Sequence, residues 1–219
     1  MEATAPRVST EIRIKPPAVS AAGLKHALSN LALAACFFLV ALPSAQRYQT
    51  GIANMVWVVG AMIMGVLSLV RVPPRDSMVN IRAFGAIGGM LIFPSFMRPD
   101  APATGILSSA GLVLEVSGVV LSQVARLWMG RSFGFLPANR GIVSRGPFSI
   151  VRHPIYLGWL ILMIGYACSY PTIRNWFFVV VSWPFLAWRI SLEEEVLNAD
   201  PEYRAYESRV HFKLVPHVY

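Results

Sequence analysis

Six apolar runs separated by short polar links take up most of this chain: Leu28 to Ala45, Gly51 to Val70, Ile81 to Met97, Gly105 to Met129, Tyr156 to Tyr170 and Arg174 to Ile190. A hydrocarbon layer ~30 Å thick is crossed by about 20 residues of helix. Inside it every backbone polar group must find its partner within the segment, which selects helices for runs of this kind. The expected fold is all-α: a polytopic membrane helical bundle of about six transmembrane helices, with the third and fifth runs short. Composition agrees, since only 14% of the 219 residues are charged and 55% are hydrophobic, whereas an ordinary soluble domain carries about a quarter charged residues.

The cations orient the bundle. Of the 19 lysines and arginines, only Arg47, Arg98 and Arg174 fall in or at the edge of the links of one side; the rest lie before the first run, in or at the edges of the alternate links, or at and beyond the end of the sixth. Short loops rich in positive charge stay cytoplasmic, so both termini are expected there. The net charge of +8 then reads as a topology signal with anionic membrane lipids as partners, and it calls for no nucleic acid. Residues 1–26 carry no short apolar core and no small-residue cleavage pattern of the secretory kind, so the first run is expected to stay. The chain divides into a cytoplasmic segment (1–27), four helices (28–129) and a polar-rich core with the last two helices and a tail (130–219).

Within the runs, "GAMIMG" and "FGAIGG" offer small residues that let helices approach closely. Cys36 and Cys168 stand in apolar runs with no metal-ligand spacing and read as packing residues; no metal is expected. Glu115 and Gln123 stand out in the fourth run. An ionisable side chain at that depth is either a functional group or an interhelical hydrogen-bonding one, and the sequence leaves both open. Tyr203, Tyr206, Val210 and Leu214 recur at spacings of three and four, so the tail is expected to lie as an amphipathic helix on the cytoplasmic membrane surface.

Two clusters carry the chemistry: "RGIVSRGPFSIVRHPIY" before the fifth run and "RISLEEEVL" at the end of the sixth. A tight hairpin of the last two helices, turning at Pro171, would bring them together. Arg152 and His153 would then face Glu193, Glu194 and Glu195, with Tyr156 one helical step inward. Taken singly, three adjacent glutamates also suit a solvated face, and Pro154 suits any helix start. Together the clusters suit a zwitterionic ligand at a membrane edge.

These residues, in the order RHPxYxG, EExxL and YxxY, resemble the isoprenylcysteine carboxyl methyltransferases and their bacterial relatives, a set that includes the phospholipid methyltransferases. The resemblance runs from about Gly130 to Pro216; the earlier runs share only their apolar character. It implies a methyltransferase using S-adenosylmethionine on a lipophilic acceptor that enters from the bilayer, with a cofactor pocket at the cytoplasmic face. It places His153, Pro154, Ile155 and Tyr156 on the family's cofactor-binding stretch, Arg140, Gly141, Ile142 and Val143 on a second cofactor-lining strip, and Phe148 on an aromatic position. Glu193 and Glu194 fall on its glutamate pair, and Arg189 on an arginine facing an acceptor carboxylate; Arg152 joins Arg189 as a catalytic candidate. The chemistry suits these types. A carboxylate such as Glu193 can hold an ammonium or a ribose diol, the Tyr156 ring can face a sulfonium, and His153 or helix N-terminal amides can meet a carboxylate. Phe148 replaces a frequent tyrosine and Arg140 a frequent histidine, which leaves the acceptor open between carboxylate and other nucleophiles. A membrane reductase of the NADPH-dependent sterol type and a non-catalytic scaffold of the same fold are the rival readings. Oligomeric state is not legible.

Overall fold

The computed structural model of this protein describes residues 21–46, 52–134, 136–216 and 218. Most of the amino-terminal segment and Arg47, both used in the charge argument, lie outside the described residues. Six long helices follow the six apolar runs: α1 (Ala21–Gln46), α2 (Ile52–Leu69), α3 (Ile81–Ser95), α4 (Gly105–Met129), α5 (Pro154–Ser169) and α6 (Ile173–Leu197), with a short α7 (Pro201–Glu207). Two-residue strands β1 (Asp76–Ser77) and β2 (Ala138–Asn139) pair antiparallel. Local chemistry sets the starts. Asn80 caps α3 by accepting from the Ala83 amide, Thr172 caps α6 by accepting from Asn175, and Asp200 caps α7 ahead of Pro201. The sixth helix outruns its apolar stretch and carries all three glutamates on its last turns.

Among the described residues, the helix over Gly105–Ser132 is by itself long and apolar enough to cross a membrane, and Gly23–Leu39, Val58–Leu69, Ile81–Ser95 and Pro154–Ser169 are shorter apolar helices. The helices run alternately up and down. At one end the Arg71 guanidinium reaches Asn30 (3.0 Å) and Ser29 (2.9 Å), Arg131 reaches the Val70 carbonyl (2.7 Å), and Asn139 reaches Asp200 (2.7 Å). This joins the start of α1, the end of α2, the links after α2 and α4, and the segment beyond α6. At the other end, Asn175 bonds the Arg98 backbone at both N–H and C=O, and the Ala103 amide donates to the Ser169 carbonyl (2.8 Å). The cation-rich links thus share one end, while Arg98 and Arg174 sit at the other.

Two expectations need correction. Although only Tyr170, Pro171 and Thr172 separate α5 from α6, the two do not form a self-contained hairpin: α5 packs most extensively on α4, and α6 on α3. The reason lies in four glycines. A Cβ on Gly118 would stand 2.5 Å from the Gly158 carbonyl oxygen, and one on Gly165 would stand 2.8 Å from that of Gly111. The backbones of α4 and α5 meet where neither has a side chain. The tail differs as well. Its helix stops at Glu207, and Tyr203, Tyr206 and Val210 pack with Phe148 and Ala125, while Leu214 packs on Leu186 and Ile190. Those four side chains are buried in the protein instead of facing lipid, because the chain after α7 turns back and pairs with the start of α5: the amides of Arg152 and His153 donate to the carbonyls of Phe212 and Lys213, each at 2.9 Å.

Candidate functional site

Three consecutive residues of α6 point about 100° apart around the helix, since 3.6 residues make a turn. The glutamates therefore serve three surroundings. Glu195 faces outward and pairs with Arg82 of α3 at 3.1 Å. Glu194 turns inward and is buried. One of its oxygens receives Arg152 (3.0 Å), His153 Nε2 (3.1 Å) and the Tyr203 hydroxyl (3.3 Å), and the other receives Lys213 (2.7 Å). Burial alone would raise this carboxyl, but the hydrogen bonds from His153 and Lys213 and the charges of His153 and Arg152 outweigh it and hold the group down at about 2. Arg152 also meets Glu207 (3.2 Å) and the Val210 carbonyl (3.2 Å), so this cluster staples α5, α6, α7 and the returning tail together.

Glu193 faces a cavity of about 1090 Å³, open mouth included, at the cation-rich end of the bundle. The Tyr156 hydroxyl donates to Glu193 Oε2 at 2.7 Å, and Arg189, one turn earlier on α6, stands 3.7 Å from the same oxygen. The Arg189 guanidinium also lies 6.0 Å from the centre of the Tyr156 ring. Of the residues singled out from sequence, Arg140, Gly141, Ile142, Val143, Phe148, Arg152, His153, Ile155, Tyr156, Arg189 and Glu193 line this cavity. Pro154 and Glu194 do not. Pro154 is the first residue of α5 and fixes where that helix begins, and Glu194 supports the wall from behind. His153 lines the cavity while its Nε2 is engaged by Glu194.

The link from Gly130 to Gly146 is held as a wall by β1, by Ser132 donating to the Arg140 carbonyl (3.1 Å), and by Asn139 accepting from the Gly141 amide (2.9 Å). Gly141, which lines the cavity, has φ +101°, a conformation side chains resist, and a Cβ built there would meet nothing within 4 Å. Burial lowers the Arg140 guanidinium to about 10, with the nearby charge of Arg71 acting the same way and Glu193 opposing; it stays protonated at neutral pH. Burial likewise pushes the Tyr203 and Tyr206 hydroxyls up, so both remain neutral donors; the Tyr206 hydroxyl donates to the Phe148 carbonyl at 2.7 Å.

Sequence reasoning missed Ile87 and Met90 of α3, Arg126 and Met129 of α4, and Trp159 of α5, all of which line the cavity. For Arg126 the signal was present but masked, since an arginine in the last turn of an apolar run ordinarily reaches outward to headgroups. Glu115 bonds Ser169 between α4 and α5, far from this end, and Gln123 accepts from Arg126 at 3.3 Å.

Residues 112–199 match the Isoprenylcysteine carboxyl methyltransferase (ICMT) family. Two Arabidopsis thaliana proteins, Protein-S-isoprenylcysteine O-methyltransferase A and B, are each 34% identical to this chain, over 42% of it and 50% of the first, and over 48% of it and 57% of the second. The chain thus spans about half the length of these relatives. The solved structure of the eukaryotic intramembrane Ras methyltransferase ICMT aligns over 89% of this chain and 97% of that one, at 19% identity and a TM-score of 0.49. The matched stretch, over which this chain is similar to the isoprenylcysteine carboxyl methyltransferase family, holds the cavity wall from Arg126 to Leu197.

Proposed function

We propose that this protein is an integral membrane methyltransferase that uses S-adenosylmethionine to methylate a lipophilic acceptor, with a carboxylate as the methylated group. The observation that carries this reading is the pairing of Glu193 with Arg189 on one face of α6, over a cavity with an aromatic and aliphatic lining. The donor set fits the cofactor: a carboxylate for its ammonium or ribose, the ring of Tyr156 for its sulfonium, and the open backbone at Gly141 beside Phe148 and Ile142 for its flat adenine. When bound, it supplies a methyl group on a positively charged sulfur. Arg189 orients an acceptor carboxylate, because a planar guanidinium offers two parallel N–H donors. Glu193 and Tyr156 fix each other's position, and Arg152, tied to Glu194 and Glu207, holds the wall in place. Alignment of the two reactants and exclusion of water account for the rate, a contribution of up to ~7–11 kcal/mol. Ile87, Met90 and Trp159 extend the lining toward the apolar part of the bundle, which suits an acceptor arriving from the bilayer. The names of the relatives, O-methyltransferases of isoprenylcysteine, point the same way.

In this reading six helices cross the membrane and the cavity opens to the cytoplasm, where the cofactor is. Reporter fusions after Arg75 and Arg140 should then read cytoplasmic, and those after Arg98 and Arg174 should read on the far side. The function is tested by titrating the purified protein with S-adenosylhomocysteine and with NADPH. Binding of the first and not the second is expected, and Glu193→Ala should weaken it by ~1.5–3 kcal/mol, the worth of a hydrogen bond to a charged group. Binding of NADPH alone would replace this reading with a reductase, and binding of neither would leave a scaffold.

A further inference from the structure

The cavity wall is cationic beyond what its own carboxylate can offset. Arg126 enters from the last turn of α4, Arg140 from the link after β2, and Arg189 from α6, whereas among the described residues the lining holds a single carboxylate, Glu193. The other nearby cations are already matched, Arg152 by Glu194 and Glu207, and Lys213 by Glu194. Among the described residues Arg126 has a neutral partner, its Nη1 donating to Gln123 Oε1 at 3.3 Å. Its Nε, like that of Arg140, is buried and has no hydrogen-bond partner among the described residues. Gly134 makes room for this arrangement, since a Cβ there would stand 2.2 Å from Arg140 Nη1. Guanidinium groups left short of partners away from water are costly, and a ligand bringing carboxylate oxygens into the cavity would supply the missing negative charge beside them.

We infer that Arg126 is a carboxylate-binding residue of this cavity, acting from α4 opposite the Glu193 and Arg189 pair on α6. The inference rests on the methyl-transfer reading above. Two carboxylates fit this role: that of the methyl donor's amino-acid end, one carbon from the ammonium assigned to Glu193, and that of the acceptor. Arg126 restrains one of them, so that the α6 pair need not hold every charged group at once.

Titration calorimetry on the full chain in detergent separates the sources, with Arg126→Gln and Arg126→Lys compared against wild type. The probes are S-adenosylhomocysteine; 5′-methylthioadenosine, which lacks the amino-acid end; S-farnesylthioacetate; and the neutral amide of that acid. If the donor's carboxylate is held, Arg126→Gln loses S-adenosylhomocysteine affinity ten-fold or more and keeps 5′-methylthioadenosine within two-fold. If the acceptor's is held, the same variant loses the farnesylated acid ten-fold or more and keeps its amide. In either case Arg126→Lys retains most of the affinity. The assignment is overturned if no carboxylate ligand bound by wild type is lost selectively by Arg126→Gln, including the case in which all probes weaken alike because the pocket has collapsed. Failure of wild type to bind S-adenosylhomocysteine at all would instead remove the methyltransferase reading, and this inference with it.

Discussion

The two halves of the bundle are built on different principles. In α1–α2 the joint at the cation-rich end is a single buried arginine, Arg71, with neutral partners: Asn30 and Ser29 take its guanidinium, while the His26 ring and the Asn30 amide donate to its carbonyl. Elsewhere these helices turn leucines such as Leu31 and Leu42 outward, a surface suited to lipid and tolerant of many apolar residues. In α4–α7 the backbones touch at glycines, and a buried carboxylate gathers Arg152, Lys213 and the His153 ring. Close backbone contact and the buried Glu194 cluster are concentrated beside the cavity, the kind of support that holds a site's side chains in place. The family match follows the same division, covering residues 112–199 and none of α1–α3.

Removing the charge of Glu194 is the strongest way to test that contrast. Glu194→Gln leaves Arg152, His153 and Lys213 facing a neutral group, and breaking a buried ion pair from one side costs ~3–5 kcal/mol. Arg71→Gln strands no opposite charge and should cost clearly less; thermal unfolding in detergent would rank the two, and equal losses would erase the distinction between the halves. The same carboxylate sets an acid limit. Its folded value, about 2, lies below the ordinary 4.5, so its stabilising contribution is complete above that ordinary value and is lost as the pH falls from there through about 2. Glu194→Gln should lack this part of the acid transition.

Next in size are the glycines. Gly158→Ala would put a methyl 2.6 Å from the Gly118 carbonyl oxygen and 2.7 Å from the Ser122 amide nitrogen, whereas at Gly88 of α3 the nearest heavy atom to a new Cβ is Ile92 Cδ1 at 4.0 Å. Backbone cannot step aside as a side chain can, so Gly158→Ala should destabilise by ~1–3 kcal/mol. Gly88→Ala should be neutral, or stabilising by up to ~1 kcal/mol through helix propensity. A neutral Gly158→Ala would show that α4 and α5 have room to part.

How much of this was legible follows from what each signal depends on. The helices and their alternation were, because bilayer thickness and charge act on the sequence directly: six apolar runs became α1–α6, and the described cation-rich links gathered at one end. The site was legible as a set of residues, since RHPIY and the glutamates do converge. Its division of labour was not. That Glu193 faces the cavity, Glu194 the staple and Glu195 the surface depends on the rotation of α6, which its packing on α3 sets. The tail misled for a related reason: a spacing of three and four marks a buried face but not what buries it. Glycines seven apart on both α4 and α5 were visible, but only the antiparallel register of the pair makes them meet.

The smallest expected effect concerns the bridge between the halves. Arg82 of α3 meets Glu195 of α6 at 3.1 Å, with both side chains about half exposed, at 53% and 51%. Such a pair gains little, because water and salt screen the charges while two long side chains lose freedom, and exposed pairs measure ~0–1 kcal/mol. Glu195→Gln should therefore shift unfolding by no more than that, with the difference shrinking as salt is raised. S-adenosylhomocysteine affinity should be unchanged, since Glu195 points away from the cavity that its neighbour Glu193 faces. The aromatic contacts of α3 and α6, Phe93 against Phe185 at 5.1 Å and Phe96 against Phe178 at 5.6 Å, already hold these helices without charge. A loss well above 1 kcal/mol, or one indifferent to salt, would mean that the ion pair carries the joint, and that the amino-terminal half shares the charged construction of the site.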